Sequence, residues 1–260
     1  GWHIECSAMS LNCLGKTFDI HGGGIDLCFP HHQNEIAQSD TLNEGKSVNS
    51  WMHVGHVQIN QEKMSKSLGN FFTLREVLKQ YAPEVIRYFM LASHYRSPVN
   101  YADDNLESAK QALTRFYLAL RDVKPTAPDE LLDGVYDQRF REAMEDDFNT
   151  PEAFAVLFDL TRKINSLLKE GETQKAEQHA GLLRYLAGII GFLQDDPAAF
   201  LRGDLKEGDD VEAIEALVKA RELAREQNDW AKADEIRQQL QDQGIVLEDK
   251  GKGTQWRKIN

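Results

Sequence analysis

The 260-residue sequence predicts an α/β region followed by an all-α one, with a small mixed domain after both. Three observations carry this. Residues 2 to 60 alternate short apolar runs with helical stretches and turn glycines. More than a hundred residues beyond them keep a helical period, and residues 211 to 260 hold two helical runs before the short apolar "IVLE". Hydrophobic residues make up 41% of the chain without one long apolar run, so no transmembrane segment is expected, nor is a signal peptide or lipidation motif present. The expected location is the cytoplasm. Cys6, Cys13 and Cys28 are odd in number and lack a C-x-x-C pair, so they do not suggest a disulfide framework, and a thiol or metal role stays open.

The elements follow in order. "WHIEC" reads as a strand, so the chain starts as though inside a longer protein. A helix ending near Gly15, a strand at "TFDI", the loop "HGGG", a helix closing near Gly45 and the run "WMHVGHVQI" complete the α/β part. Thr73 and Glu76 form a T-x-x-E capping box, and Pro83 suits the first turn of "PEVIRYFMLAS". A helix from about Asp104 to Asp122 carries Leu106, Leu113, Phe116 and Leu120 on one stripe. Further helices are expected around Phe140 to Glu145, from Pro151 to Lys169 with Thr150 as cap, and from Glu172 to Ile190. Together they form a bundle. The acidic stretch 196–210 reads as a linker, and 211–260 as a separate small domain.

A net charge of -12 argues against indiscriminate adhesion to nucleic acid. Distribution matters more than the total: "KGKGTQWRKIN" has four basic residues and no acid.

Candidate chemistry concentrates in two stretches. In "HGGGIDLCFPHHQNEIAQS", His31 and Glu35 stand four apart and share a helix face. Imidazole and carboxylate both ligate zinc, a thiolate would complete a softer set, and a solvated helix pair is the bland alternative. Glycines 22 to 24 permit close backbone approach to an anion, or only a tight turn, and Asp26 stands where an acid can meet a ribose hydroxyl. In "EKMSKS", Lys63 and Lys66 flank small residues in a loop, where two ammonium groups can follow charge growing on a triphosphate. A basic surface turn is its alternative. Cys13 and Cys28 read as buried small apolar residues.

"KMSKS" at 63–67 is similar to the ATP-site signature of class I aminoacyl-tRNA synthetases. "GGGIDLCFPHHQNEIAQS", "GWHIECSAM" and "NDWAKADEIRQQLQDQGIVLEDKGKGTQWR" resemble the cysteinyl-tRNA synthetase family, and the likeness spans nearly the whole chain. The resemblance implies residues 1–62 as the second half of a Rossmann-type catalytic domain with zinc ligands, and 63–100 as the KMSKS loop and stem-contact region. It makes 101–195 the helical bundle that binds tRNA, and 211–260 the anticodon domain. It implies ATP with Mg2+ as substrate, L-cysteine, tRNA(Cys), one Zn2+ and a monomer. The missing N-terminal half would supply the fourth zinc ligand and the HIGH motif, so the isolated chain is expected to be inactive. "HGGG" and "HVGH" echo HIGH at the wrong place in the order.

By the same resemblance Cys6, His31 and Glu35 are metal ligands, and Gly23, Asp26, Lys63, Met64, Ser65, Lys66 and Ser67 bind ATP, with the two lysines catalytic. Trp2, His21 and His32 line the substrate pocket, with Trp2 as packing and His32 as an orienting neighbour the alternatives. Arg225, Trp230, Asp234, Asp249 and Trp256 meet tRNA. Core packing is the alternative for the tryptophans. Two other functions fit the chemistry: a ligase joining cysteine to an amino sugar, and a non-catalytic remnant that binds RNA and zinc. The terminal domain tells against the first, because an amino sugar has no anticodon to read.

Overall fold

The computed structural model describes residues 1–59, 62–63, 73–127, 134–203, 211–250 and 253–258. They divide into two units: Gly1–Gln111 with Val135–Val156, and Ala112–Gly134 with Leu157–Asn260.

The first unit opens with helix α1 (Trp2–Leu14) and not with the expected strand. Ser7 ties this helix inward by donating to Gln38 Oε1 (2.9 Å). No residue of α1 is buried, and Trp2, Ile4, Met9 and Leu14 remain exposed. Strand β1 (Phe18–Gly24), helix α2 (Gln33–Asn43) and strand β2 (Val48–Val54) make a βαβ unit with β1 parallel to β2, from Phe18 opposite Val48 to Gly24 opposite Val54. The three glycines therefore sit inside the strand rather than in a loop after it. A short 3-10 turn (Ile25–Leu27) and a wide turn (Cys28–His32) lead from β1 into α2.

Strand β3 (Val57–Ile59) lies between β4 (Glu62–Lys63), antiparallel to it, and β5 (Val99–Tyr101), parallel to it. Gly55 joins β2 to β3 where a Cβ would stand 2.2 Å from Ser97 O, so only glycine fits. Helix α3 (Leu74–Val77) starts at the predicted capping box: Thr73 Oγ1 accepts from Glu76 N–H (3.3 Å) and Glu76 Oε2 from Thr73 N–H (2.7 Å). Helix α4 (Pro83–Leu91) buries Val85, Tyr88 and Phe89, with Tyr88 against Phe154.

Helices α5 (Asp103–Arg121), α6 (Val135–Glu145), α7 (Thr150–Lys169) and α8 (Thr173–Ile189) supply most of the core. Asn149 Oδ1, not Thr150, accepts the Glu152 N–H that opens α7 (3.3 Å). The Thr150 hydroxyl donates to Leu91 O instead (2.7 Å). In the second unit Phe116 stacks on Phe158 at 4.3 Å, and Leu182, Leu183 and Leu186 are fully buried. Each such side chain contributes about 1.5–3 kcal/mol relative to exposure.

The expected linker at 196–210 begins instead with helix α9 (Pro197–Arg202). Asp196 caps it by accepting from Ala199 N–H, Leu201 is buried, and Phe200 stacks on Tyr117 at 4.0 Å, contacts that a linker's composition hides. Helices α10 (Val211–Glu226) and α11 (Trp230–Asp242) then pack with the antiparallel hairpin β6 (Ile245–Lys250) and β7 (Gly253–Lys258). Ile214, Val218, Ile236, Leu240 and Ile245 form their small core. No helix among the described residues is long and apolar enough to cross a membrane.

Candidate metal centre

Three elements bring one thiol, one imidazole and one carboxylate together. Cys6 comes from α1, His31 from the wide turn and Glu35 from the first turn of α2. Their ligating atoms all lie within 4.8 Å of one another. Tetrahedral zinc with such ligands keeps them about 3.5 Å apart, so a small inward shift suffices. His31 and Glu35 are buried, and Cys6 is half-buried.

The carboxylate itself supplies the test of fit. Glu35 Oε1 is buried and 2.7 Å from His31 Nε2, yet it makes no hydrogen bond among the described residues. An interior carboxylate oxygen without a partner is costly, and a cation between the two atoms removes that cost. The sulfur, nitrogen and oxygen donor set suits zinc. Burial pushes the Cys6 thiol up, and Glu35 adds to it; a cation would reverse both effects.

A second group, His21, His32 and Glu35, meets the same distance limit. Glu35 divides between the two sets, with Oε2 3.7 Å from His21 Nδ1. Only the first set contains sulfur. The remaining rings form a stacked wall: His21 lies on Trp51 at 4.5 Å, and His32 Nδ1 pairs with His53 Nε2 at 2.8 Å. Burial, reinforced by His21, His53 and His31, holds His32 down at about 4, so it is neutral near pH 7. A Cβ on Gly23 would stand 2.7 Å from His32 Cε1. That glycine accommodates a histidine, a reason sequence reading did not find.

Other anticipated residues fall as follows. Trp2 is exposed, with its ring 4.5 Å from that of His31. Asp26 Oδ1 lies 3.1 Å from His56 Nε2. Met64, Ser65, Lys66 and Ser67 lie outside the described residues, and Lys63 ends β4. Cys13 and Cys28 are exposed, contrary to expectation, since α1 turns Cys13 outward and Cys28 begins a surface turn. Trp230 is exposed at the start of α11, with Asp234 one turn on. Arg225 Nη1 meets Asp249 Oδ1 at 2.8 Å, and half-buried Trp256 packs against the small core. Buried Arg221, missed from sequence, grips Asp249 from one turn earlier in α10. Its only signal was an arginine at a core-facing helical position.

Residues 1–111 match the family model of the class I (C) tRNA synthetase catalytic domain, 139–194 the DALR domain and 198–257 the cysteinyl-tRNA ligase anticodon-binding domain. Cysteine–tRNA ligases of Pectobacterium carotovorum and Idiomarina loihiensis are 54% and 55% identical to the chain over 259 and 258 residues, 99% of it in each case. The chain belongs to the cysteine–tRNA ligase family. It spans 56% and 55% of those two relatives' lengths. Family membership accounts for the order of its parts, a catalytic-domain segment with helical DALR and anticodon-binding domains after it. The LeuRS chain of an Agrobacterium radiobacter ternary complex aligns at 21% identity and a TM-score of 0.49, covering 65% of this chain and 24% of that one, too distant to carry an argument.

Proposed function

We propose that the chain is the cysteine-selecting and tRNA-binding part of a cysteine–tRNA ligase, which activates L-cysteine with ATP and transfers it to tRNA(Cys). The observation that carries this reading is the convergence of Cys6, His31 and Glu35 with an orphaned carboxylate oxygen. Zinc bound there would favour a thiol over a hydroxyl and lower the thiol's pKa. A site that rewards one specific group rejects analogues lacking it by ~10⁴ or more, which an apolar pocket cannot do for serine against cysteine.

The chain's own residues divide the remaining work. Cys6, His31 and Glu35 hold the metal, and a fourth ligand comes from further chain. Neutral His32, fixed by His53 and packed on Gly23, orients the wall on which His21 and Trp51 stack. Trp2 closes the side next to His31. Asp26 meets the ribose, Gly23 lies under the nucleotide, and Lys63 and Lys66 neutralise charge as the amino-acid carboxylate attacks the α-phosphorus and pyrophosphate leaves. No general base is required for that step. The terminal adenosine of tRNA then displaces AMP from the activated carbonyl. Arg225, Trp230, Asp234, Asp249 and Trp256 form the RNA face of the anticodon domain at 211–260, and the helical bundle at 101–195 supplies a further tRNA contact. The Rossmann-type reading of residues 1–62 is supported by the parallel βαβ unit.

The exposed Trp2, Ile4, Met9, Ile25 and Phe29 favour a catalytic domain completed by further chain. The test is cysteine-dependent ATP/pyrophosphate exchange by the chain joined to the segment its relatives carry. Exchange with cysteine and not serine, followed by tRNA charging, supports the reading. Exchange without charging would point to the amino-sugar ligase, and no exchange to the remnant.

A further inference from the structure

Asp26, in the short turn after β1, has a half-exposed side chain with room to swing. Two neighbours restrict it. The first is His56, whose Nε2 is closed to water, makes no hydrogen bond among the described residues and stands 3.1 Å from Asp26 Oδ1. A buried polar nitrogen without a partner is costly, and a carboxylate oxygen at that distance removes the cost by a small turn of its side chain. Such an oxygen only accepts, so the contact puts the ring proton on Nε2.

The second neighbour is Gly24. A Cβ there would lie 2.5 Å from Asp26 Oδ1 and 4.0 Å from His56 Nε2, so the carboxylate occupies space that any other side chain would take. The backbone of Gly24, at φ -67° and ψ 154°, is open to every residue, which leaves the carboxylate as the reason for a glycine. His56 is itself firmly placed. Its carbonyl accepts the Val99 N–H at 3.0 Å, and the Gly55 N–H before it donates to Tyr95 O at 2.8 Å. Val57 after it pairs with Val99 between β3 and β5. The exposed carboxylate is thus referred to a ring on rigid backbone instead of choosing among rotamers, and ordering it in advance lowers the cost of binding a ligand.

We propose that His56 is a positioning residue: its Nε2–H, with the space left at Gly24, holds the Asp26 carboxylate in the orientation that accepts a ribose hydroxyl of ATP. The inference rests on the ATP-binding reading above, in which neither His56 nor Gly24 has a part. A residue acting in this way sets the affinity for the nucleotide and the selectivity for its hydroxyl, and leaves the chemical step alone.

The test uses the chain joined to the segment its relatives carry, and compares ATP with 2′-deoxy-ATP and 3′-deoxy-ATP in cysteine-dependent pyrophosphate exchange. The parent should discriminate against at least one analogue. His56→Leu should raise the KM for ATP about tenfold, the worth of one hydrogen bond to a charged group. The KM for that analogue, the KM for cysteine and kcat should keep their parental values, so the preference for ATP shrinks by the same factor. Gly24→Ala should act alike by pushing the carboxylate aside, and His56→Gln, whose amide can donate in place of the ring, should recover most of the loss. Adding His56→Leu to Asp26→Asn should cost nothing further. Equal loss for ATP and its analogues, or parental values in His56→Leu, overturns the inference and spares the ATP reading. A parent that uses all three nucleotides equally removes the ribose role of Asp26 and the inference with it. A joined chain without exchange removes the enzyme reading beneath both.

Discussion

The Arg221 guanidinium forks onto both carboxylate oxygens of Asp249, with Nη1 to Oδ1 at 2.8 Å and Nη2 to Oδ2 at 3.0 Å. Arg225 Nη1 reaches the same Oδ1 from the next turn, and Thr254 Oγ1 donates to it at 3.0 Å. Asp249 therefore fastens the β6–β7 hairpin to α10, whatever else it contacts. The Arg221 hydrogen bonds, against the opposing effect of burial, hold its carboxyl well below the usual carboxylate range.

Acid should expose that role. A carboxyl whose folded value lies below its unfolded value of about 4 contributes full stability above that value and loses it as pH falls toward the folded one. Asp249→Asn should melt lower than the parent at pH 7, and the gap should narrow steadily below pH 4. Melting curves from pH 7 to 2 read this directly; a gap independent of pH contradicts it.

Trp230 is 58% exposed, so its truncation should hardly touch stability. Trp230→Ala is expected to stay within about 0.5 kcal/mol of the parent in urea unfolding. Its affinity for tRNA should fall by about 1–3 kcal/mol, the usual worth of one stacked base. Loss of the anticodon domain's folded signal in this variant would make Trp230 a core residue instead.

Three glycine-to-alanine changes should rank by what the new methyl meets. At Gly55 it meets backbone, Ser97 O at 2.2 Å, which cannot yield without moving the chain between β2 and β3. At Gly23 it meets the His32 ring at 2.7 Å, and that ring is tied to His53. At Gly45 nothing lies within 4 Å. Unfolding free energies in urea should fall most for Gly55→Ala, by about 1–3 kcal/mol for Gly23→Ala, and negligibly for Gly45→Ala. Any other order contradicts the packing described for the histidine wall.

The helical bundle and the T-x-x-E cap were legible because periodicity and capping are local. The same holds for His31 and Glu35, whose spacing alone puts them on one face. What sequence could not supply was set by partners distant in the chain. "WHIEC" alternates like a strand, yet Ser7 meets Gln38 in a helix. Asn149 takes the capping role because the Thr150 hydroxyl is drawn to Leu91 O. The composition of 196–210 signals a linker, but Phe200 finds the ring of Tyr117. The close approach of the His32 ring to the missing Cβ of Gly23 is likewise a contact between distant positions. Arg221 was invisible because a buried charge is recognised only with its carboxylate in view.

The central claim is that Cys6, His31 and Glu35 hold a thiophilic metal. Zinc K-edge absorption on the zinc-loaded chain tests it most directly. One sulfur at about 2.3 Å among nitrogen and oxygen neighbours is expected, retained in Cys13→Ser and Cys28→Ser and lost in Cys6→Ser. A shell of nitrogen and oxygen alone in the parent chain would place the ion on His21, His32 and Glu35 and contradict the account.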